Sequence, residues 1–320
     1  MTSTAISGAM SVVTVTLNPA IDQTLSIPGF ATGRVNQVAA SRCDAGGKGV
    51  NVACVLADLG VETVATGFLG TENATLFETF FARKKIADRF VRVAGSTRTG
   101  IKVVDDETQE TTDINFPGLT PAEAEVAELF ARVAALAVPG RWFVLSGSVP
   151  PGLPEDVYAG LIETIHDQGG RVVLDTSGKP LEVALASRPD VIKPNAEELG
   201  ALMGRPLDTP SSVRSAASAL LKRGIRLVVV SMGGAGAVFV DREHALLALP
   251  PKVVVRSTVG AGDAMVGGIV YGMIHDLPLE EVARTATGSG AYAVTRIGSG
   301  IEAPIELRAL TRRVEIEAFR

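Results

Sequence analysis

One carboxylate near the C-terminal end of the chain follows three small residues. Residues 259–264 read VGAGDA, so that Gly260, Ala261 and Gly262 precede Asp263, and apolar residues then recur at helical spacing. This pattern predicts a helix start, where free N–H groups and the positive end of the helix dipole bind anions. A carboxylate there suits a general base that takes a hydroxyl proton during phosphoryl transfer. For Asp263 alone, a helix cap or dipole partner is the more frequent role.

A second glycine-rich stretch, DAGGKGVNVACVLADLG (44–60), precedes another amphipathic helix. It lacks the four-residue spacer and the Ser/Thr after lysine that define a Walker phosphate loop. Its small residues and Asn51 suit sugar hydroxyls, and Lys48 suits a phosphate. A tight strand-to-helix turn with a solvated lysine is an equally good interpretation.

Two further stretches suit a nucleotide. SMGGAGAVFV (231–240) has glycines at the end of a buried strand, where ligands of α/β sheets bind, although a glycine-rich hairpin is the alternative. It lacks the GxGxxG fingerprint of dinucleotide-binding folds. KPNAEEL (193–199) offers Lys193, Asn195 and Glu198 to nucleotide phosphates and magnesium, or these residues only start a helix.

The elements that must position these residues alternate along the chain. Short apolar runs predict strands buried on both faces, and segments with helical spacing lie between several of them. This order predicts βαβ units and a doubly wound, mostly parallel sheet. The predicted strands cover 11–17, 141–147, 171–177, 190–195 and 226–233, and the clearest helices cover 121–137, 153–170 and 209–224.

Two stretches, at about 21–44 and 96–118, break this alternation with short strands and turn residues. We interpret them as hairpins that project from the sheet edge and form a small second layer. No linker separates two independent domains, so we expect a single domain over 12–320 after a flexible N-terminal tail, 1–11.

Composition excludes several classes of protein. The net charge of −5 leaves no basic face for nucleic acid. No signal peptide and no run of about 20 apolar residues is present, which favours a cytoplasmic protein without a membrane partner. Cys43 and Cys54 match neither a disulfide framework nor a metal motif, and three scattered histidines suggest no catalytic pairing.

Taken together, the motifs resemble the ribokinase/PfkB family of carbohydrate kinases, in particular its bacterial branch that phosphorylates fructose 1-phosphate. The resemblance implies a three-layer α/β/α fold with a β-sheet lid that commonly forms a homodimer interface. It runs from about residue 12 to 300 and depends on TLNPAID (16–22), GGKGVNVA (46–53), STRTG (96–100), DINFPG (113–118), SGSVPPG (146–152), KPNAEEL and VGAGDA.

The resemblance also implies a role for each candidate residue. Asp263 would be the base, and the N–H groups of Gly260, Ala261 and Gly262 would form the anion hole. The remaining roles divide between the two substrates. The sugar hydroxyls would be bound by Asp22, Gly46, Gly47 and Asn51, and the sugar phosphate by Arg98, Lys48 and Ser148. The ATP phosphates and Mg²⁺ would be bound by Lys193, Asn195 and Glu198, with Glu198 acting through water. The ATP cleft would be lined by Ser231, Gly233 and Gly236, and Ser289 would lie near the adenine.

The implied reaction transfers a phosphoryl group from ATP to the C6 hydroxyl of D-fructose 1-phosphate and gives fructose 1,6-bisphosphate. The nearest alternative keeps the fold but uses fructose 6-phosphate or tagatose 6-phosphate. Relatives that act on 6-phosphates often have glycine in place of Lys48. A non-catalytic sugar-phosphate sensor is disfavoured because a binding protein needs no base.

Overall fold

A computed structural model describes residues 11–105, 107–108 and 110–319, which include all of the motifs above. The predicted tail therefore lies outside the described residues except for Ser11, which is buried. The strands of this part are β1 (Val12–Thr16), β2 (Ala20–Ser26), β3 (Ala40–Gly46), β4 (Thr63–Gly70), β5 (Ala87–Asp88), β6 (Val91–Val93), β7 (Thr99–Asp105), β8 (Glu110–Asn115), β9 (Trp142–Ser146), β10 (Arg171–Asp175), β11 (Val191–Ile192), β12 (Leu227–Ser231), β13 (Ala237–Val240), β14 (Ala245–Leu249) and β15 (Glu315–Ala318).

The helices alternate with the strands of the larger sheet, as predicted. Those within the described residues are α1 (Lys48–Asp58), α2 (Thr75–Lys84), α3 (Glu123–Leu136), α4 (Val157–Asp167), α5 (Gly178–Ala184), α6 (Ala196–Met203), α7 (Pro210–Leu221), α8 (Ala261–Ile274), α9 (Leu279–Ala293) and α10 (Pro304–Thr311). None of these helices is both long enough and apolar enough to cross a bilayer.

Eleven strands of the described chain form the central sheet, in the order β15-β14-β13-β12-β11-β10-β9-β1-β4-β5, with β6 also beside β4. Pairing is parallel from β12 to β5 and antiparallel from β12 to β15. Side chains of one strand enter two different cores: Phe143 and Leu145 pack with α3–α7, whereas Val144 packs with α1, α8 and α9. The predicted doubly wound, mostly parallel fold is therefore confirmed.

The two stretches that break the alternation form a separate four-stranded sheet, β3-β2-β7-β8. Each stretch is an antiparallel hairpin, and β2 pairs with β7 in parallel from Ile21↔Thr99 to Ser26↔Val104. The buried carboxylate of Asp105 accepts the N–H groups of Gly29 and Phe30 at 2.9 and 3.1 Å, which ties the hairpins together at their outer end. We call this sheet the lid.

Some predicted elements are shorter in the structure. The strand predicted over 190–195 consists only of Val191–Ile192, because Pro194 has no N–H group for a sheet and Asn195 already caps α6. The helix predicted over 153–170 covers only Val157–Asp167. Gly169, with φ +74, adopts the left-handed conformation that commonly ends helices.

Candidate active site

The carboxyl ends of the parallel strands and the starts of α1 and α8 meet beneath the lid, where ligands of open α/β sheets bind. They surround an open cleft of about 400 Å³, which we call the polar cleft. Twelve of its lining residues are predicted site residues, and the other two are Ala20 and Val259. The predicted residues are Asp22, Gly47, Lys48, Asn51, Arg98, Lys193, Asn195, Glu198, Ser231, Gly260, Gly262 and Asp263.

Asp263 lies in the first turn of α8 and is only 7% exposed. Burial, with a smaller contribution from the nearby Asp175, raises its pKa to about 6, although Asn51, Lys48 and Lys193 oppose the shift. A carboxyl group whose pKa is close to neutral can both accept and release a proton at physiological pH. The side chain therefore has the properties of a general base.

Asn51 fixes the orientation of this carboxylate. Its Nδ2 donates a buried hydrogen bond of 2.8 Å to Asp263 Oδ2, because α1 and α8 begin side by side at the sheet edge. The resemblance assigned Asn51 to sugar hydroxyls. The structure places it in the cleft but adds this second contact, which the separation of 212 residues hides in the sequence.

The start of α8 supplies backbone donors. Gly260 is the N-cap with φ +78, a conformation that favours glycine, and the first-turn amides have no carbonyl four residues earlier within the helix. The Ala261 N–H lies 3.4 Å from the Thr258 carbonyl. A Cβ on Gly262 would lie 3.5 Å from Lys193 Nζ, so this ammonium group is next to the helix start. An anion bound there would meet both amide dipoles and a positive charge.

Asp175 is a site residue that sequence reasoning missed. It ends β10, is 1% exposed, and forms ion pairs of 3.3 Å with both Lys48 and Lys193. Burial alone would raise the pKa of Asp175, but the two ammonium groups hold it below its usual value. The position of an acid at the carboxyl end of a buried strand in RVVLDTS (171–177) was the available signal.

On the lid, Asp22 projects toward the polar cleft between two glycines. A Cβ on Gly46 would lie 2.5 Å from Asp22 Oδ2, and one on Gly100 would lie 3.2 Å from Oδ1. Lys102 Nζ contacts Oδ2 at 3.0 Å. The glycines therefore provide room for the carboxylate, and Lys102, which was also missed, provides its counter-ion.

Arg98 immediately precedes β7, the lid strand that begins at Thr99. Its guanidinium donates only long bonds, of 3.3 to 3.5 Å, to Asn18, Asn115 and Phe116, and its buried Nε has no partner among the described residues. Burial lowers the pKa of Arg98 against the effect of Asp22. Such an under-satisfied, half-buried cation favours an anionic ligand.

The predicted serine near this arginine lies at the margin of the site. Ser148 is exposed and does not line the polar cleft, and its hydroxyl accepts Asn18 Nδ2 at 3.1 Å. The carbonyl of Asn18 in turn accepts the Arg98 bond. Ser148 is thus connected to Arg98 through Asn18, a residue of the TLNPAID stretch that was not singled out.

Asn195 and Glu198 cap a helix and also line the polar cleft. They form a capping box at the start of α6, with Glu198 N–H to Asn195 Oδ1 at 2.7 Å and Asn195 N–H to Glu198 Oε2 at 2.9 Å. Both nevertheless line the polar cleft. The cap holds the two side chains at the edge of the site.

A second cavity of about 600 Å³ lies on the other side of the α8 start and shares Ser231 and Gly262 with the polar cleft. We call it the apolar cavity. Its walls are mostly apolar side chains and glycines. Its lining residues are Ser231, Gly233, Gly234, Gly236, Pro250, Pro251, Lys252, Val253, Val255, Thr258, Ala261, Gly262, Met265, Thr287, Gly290, Ala291 and Val294.

The predicted nucleotide residues Ser231, Gly233 and Gly236 reach this cavity, but Ser289 does not. Ser289 is fully buried inside α9, and its hydroxyl donates to the Thr285 carbonyl at 2.8 Å. Its helix neighbours Thr287, Gly290 and Ala291 line the cavity instead. Ser289 therefore does not itself line the cavity, and its proximity to the adenine stays a prediction.

Among the described residues, no cluster of three or more acidic, histidine or cysteine side chains could hold a metal ion alone. Mg²⁺ bound with nucleotide phosphates usually needs only one or two carboxylates and several waters. Glu198, at the edge of the polar cleft, fits that donor set.

Comparison with known proteins identifies the family of this chain. Residues 11–306 match the model of the pfkB family carbohydrate kinases. The chain is 47% identical to a 1-phosphofructokinase of Rhodobacter capsulatus over 97% of its length and 98% of the relative, and 38% identical to a 1-phosphofructokinase of Escherichia coli over 96% and 98%. A crystal structure of phosphofructokinase-2 from Escherichia coli in complex with fructose-6-phosphate aligns with a TM-score of 0.88 at 31% identity, covering 95% of this chain and 98% of that one. The chain therefore belongs to the pfkB family of carbohydrate kinases.

Proposed function

We propose that this protein transfers the γ-phosphoryl group of ATP to the C6 hydroxyl of D-fructose 1-phosphate and releases fructose 1,6-bisphosphate and ADP. The observation that carries the proposal is a buried, hydrogen-bonded Asp263 at a helix start between two cavities, one polar and one apolar. The name shared by relatives of 36–47% identity supports fructose 1-phosphate as the acceptor.

In this mechanism the C6 hydroxyl of the sugar lies against Asp263. The carboxylate takes the hydroxyl proton while the oxygen forms a bond to the γ-phosphorus, and the bond from phosphorus to the β–γ bridging oxygen breaks. ADP leaves with that oxygen, and Asp263 holds the proton until it passes to solvent. Asn51 keeps the carboxylate oriented throughout.

The developing charge on the transferred group meets the amides of Gly260 to Gly262 and the ammonium group of Lys193. These donors are already in place before the reaction, so that no reorganisation is needed in the transition state. Glu198 and Asn195 would hold the Mg²⁺ that accompanies ATP, through water in the case of Glu198. The ion would neutralise phosphate charge.

The acceptor's own phosphate would bind to Arg98 and Lys48. Arg98 has unused donors, and Lys48 Nζ is held 3.3 Å from Asp175, with its side chain 41% exposed to the cleft. Ser148 would assist at the margin. The ring hydroxyls would bind Asp22, Asn51 and the backbone of Gly46 and Gly47.

We further propose a single kinase domain that forms a homodimer through the lid and acts in the cytoplasm, where ATP is available. In a single chain the lid exposes four large apolar side chains. The exposed fraction is 90% for Val35, 51% for Phe116, 50% for Val38 and 47% for Ile114. Strand β8 also leaves one edge of the lid unpaired among the described residues. A second lid would cover both features.

Purified protein with ATP and Mg²⁺ tests the proposal against fructose 1-phosphate, fructose 6-phosphate and tagatose 6-phosphate. We expect kcat/KM for fructose 1-phosphate to exceed the other two values clearly, because Lys48 and Arg98 both face the acceptor phosphate. A higher kcat/KM for either 6-phosphate would overturn the acceptor assignment, and no turnover of any sugar phosphate would overturn the kinase itself.

A further inference from the structure

We infer that the ion pair of Asp58 with Lys84 positions the loop at 297–300 as a wall of the acceptor site. The pair would thereby control the KM for the sugar phosphate without touching it. Both side chains are positioning residues in this sense, and neither lines the polar cleft or the apolar cavity. The inference rests on the proposed kinase function.

One face of α1 connects the proposed base to this loop. Asn51, Cys54 and Asp58 are three and four residues apart, so their side chains lie on the same face of the helix. At the start of this face, Asn51 donates to Asp263 on α8. At its end, the Asp58 carboxylate accepts the N–H of Ile301 at 2.7 Å. The same helix face therefore contacts both α8 and the end of the loop.

Lys84, at the end of α2, holds the Asp58 carboxylate in this orientation. Its Nζ lies 2.8 Å from both carboxylate oxygens, and the two side chains are only 19% and 13% exposed. A charge that is withdrawn from water to this extent needs a partner. Without the ammonium group, Asp58 would be more stable when turned toward solvent, which would release the Ile301 N–H. Lys84 therefore acts on the loop through Asp58.

The loop fits closely over this pair. Gly300 has φ +103, and a Cβ there would lie 2.5 Å from Asp58 Oδ2 and 2.7 Å from Cys54 Sγ. The thiol also lies 3.8 Å from the carbonyl oxygen of Ser299. Burial raises the pKa of Cys54 to about 12, so the thiol stays protonated and can donate a weak hydrogen bond there. Only glycine fits at position 300 while the loop keeps this place.

Residues 297–299 of the loop line a small polar cavity of about 60 Å³, which we call the lid cavity. Its other walls are formed by the lid and by the start of α8. Asp22, Asn51, Val259 and Gly260 line both the lid cavity and the polar cleft, so the two spaces adjoin. A displacement of the loop would therefore change the space beside the proposed sugar site.

The loop also contacts the lid directly. A Cβ on Gly298 would lie 3.0 Å from Arg42 Nη2 on β3, and Arg42 Nε lies 2.7 Å from Asp44 Oδ2. Asp44 is paired in register with Asp22, the proposed ligand of the sugar hydroxyls. The loop therefore supports the pair of lid strands that carries Asp22.

The donor side has no such connection. Among the described residues, the lid cavity and the apolar cavity have no lining residue in common. Asp263 keeps its bond to Asn51 whether or not the loop moves. Loss of the ion pair should therefore raise the KM for fructose 1-phosphate and leave kcat and the KM for ATP nearly unchanged.

Lys84→Met tests the inference, because it removes the ammonium group and keeps most of the methylene stem. We expect the KM for fructose 1-phosphate to rise by about 3- to 30-fold, the range for coupling through packed side chains. Lys84→Arg keeps the charge and should recover most of the loss. Lys85→Met, at the adjacent exposed position, is the matched control.

Gly300→Ala is an independent test that leaves the ion pair in place. The added Cβ would meet the Asp58 carboxylate and the Cys54 thiol, so that the loop must move. We expect the same selective rise in the KM for fructose 1-phosphate. Gly60→Ala is the matched control for backbone strain, because Gly60 has φ +84 and open space where its Cβ would be.

Hydrogen exchange, followed by mass spectrometry, separates loss of the anchor from a general loss of stability. In Lys84→Met we expect peptides that contain Ile301 to exchange about tenfold faster, while peptides from β1 and β9 keep their rates. Unchanged exchange at Ile301, a rise in the acceptor KM of less than threefold, or an equal rise in the KM for ATP would overturn the inference. If the wild-type enzyme does not turn over fructose 1-phosphate, the proposed function fails instead, and hydrogen exchange still tests the anchor.

Discussion

The two halves of the proposed active site differ in the chemistry of their walls. The acceptor side, formed by the lid and the start of α1, presents Arg98, Lys48 and the Asp22–Lys102 pair. The donor side is walled by prolines, valines and glycines. Directional charged contacts discriminate between ligands more sharply than apolar walls do. On the proposed function, substitutions on the acceptor side should therefore change sugar recognition most.

Asp263 lines the polar cleft at the helix start that borders both cavities, and its removal should have the largest effect. We expect Asp263→Asn to lower kcat by about 10³, the middle of the range for a general base, and to leave both KM values within a few fold. Steady-state kinetics at pH 8 measure this loss. Asp241→Asn, on an exposed turn, is the control. An unchanged kcat for Asp263→Asn would remove this residue from the mechanism.

Arg98→Met should weaken recognition of the acceptor without affecting ATP. Because the substitution removes the cation that would pair with the acceptor's phosphate, we expect a loss of roughly 2–3 kcal/mol in acceptor recognition, or about 30- to 150-fold in kcat/KM for fructose 1-phosphate. KM for ATP should stay within twofold. The exposed Arg83→Met serves as the control. Equal losses for both substrates would contradict the division of labour described above.

The pH profile should report Asp263 itself. Its pKa of about 6 lies above the ordinary value of 3.8, and only the ionised form accepts a proton. Activity is therefore present above pH 6 and falls as the pH decreases through it, to about one tenth at pH 5. Initial rates between pH 5 and 8, with both KM values measured at each pH, test this. A flat profile down to pH 5 would refute the assignment of the base.

Lys102→Met should have the smallest of these effects. The substitution removes the counter-ion of Asp22 but keeps the methylene stem, and the exposed part of the pair is screened by solvent. We expect KM for fructose 1-phosphate to rise by roughly five- to tenfold and kcat to change little. Lys102→Arg should recover most of the loss. A selective rise in KM for ATP would mean that the lid also contacts the donor.

Local patterns were sufficient for the elements that carry the chemistry. The helix start at Gly260, the glycine-rich entry to α1 and both lid hairpins follow from spacing and turn residues within short windows. These features are determined by neighbours in sequence, and they were predicted correctly.

Features that depend on distant contacts were not predicted. Asp175 is part of the site only because Lys48 from α1 and Lys193 after β11 converge on it, and no local pattern encodes that meeting. Ser289 lies in α9, which is buried on most sides from Val282 to Ala293. Periodicity in such a helix cannot indicate which side faces a cavity, so the true lining residues were missed.

The parallel pairing of β2 with β7 makes the two lid hairpins one continuous sheet. It joins the two hairpins along six residue pairs, and Asp105 fastens their outer ends. Asp22 and Arg98 thus lie on the same sheet, the lid, which is attached to the core at its strand ends. Any displacement of this sheet would therefore move Asp22 and Arg98 together, so that the proposed contacts to the sugar ring and to its phosphate would be made and broken as a unit.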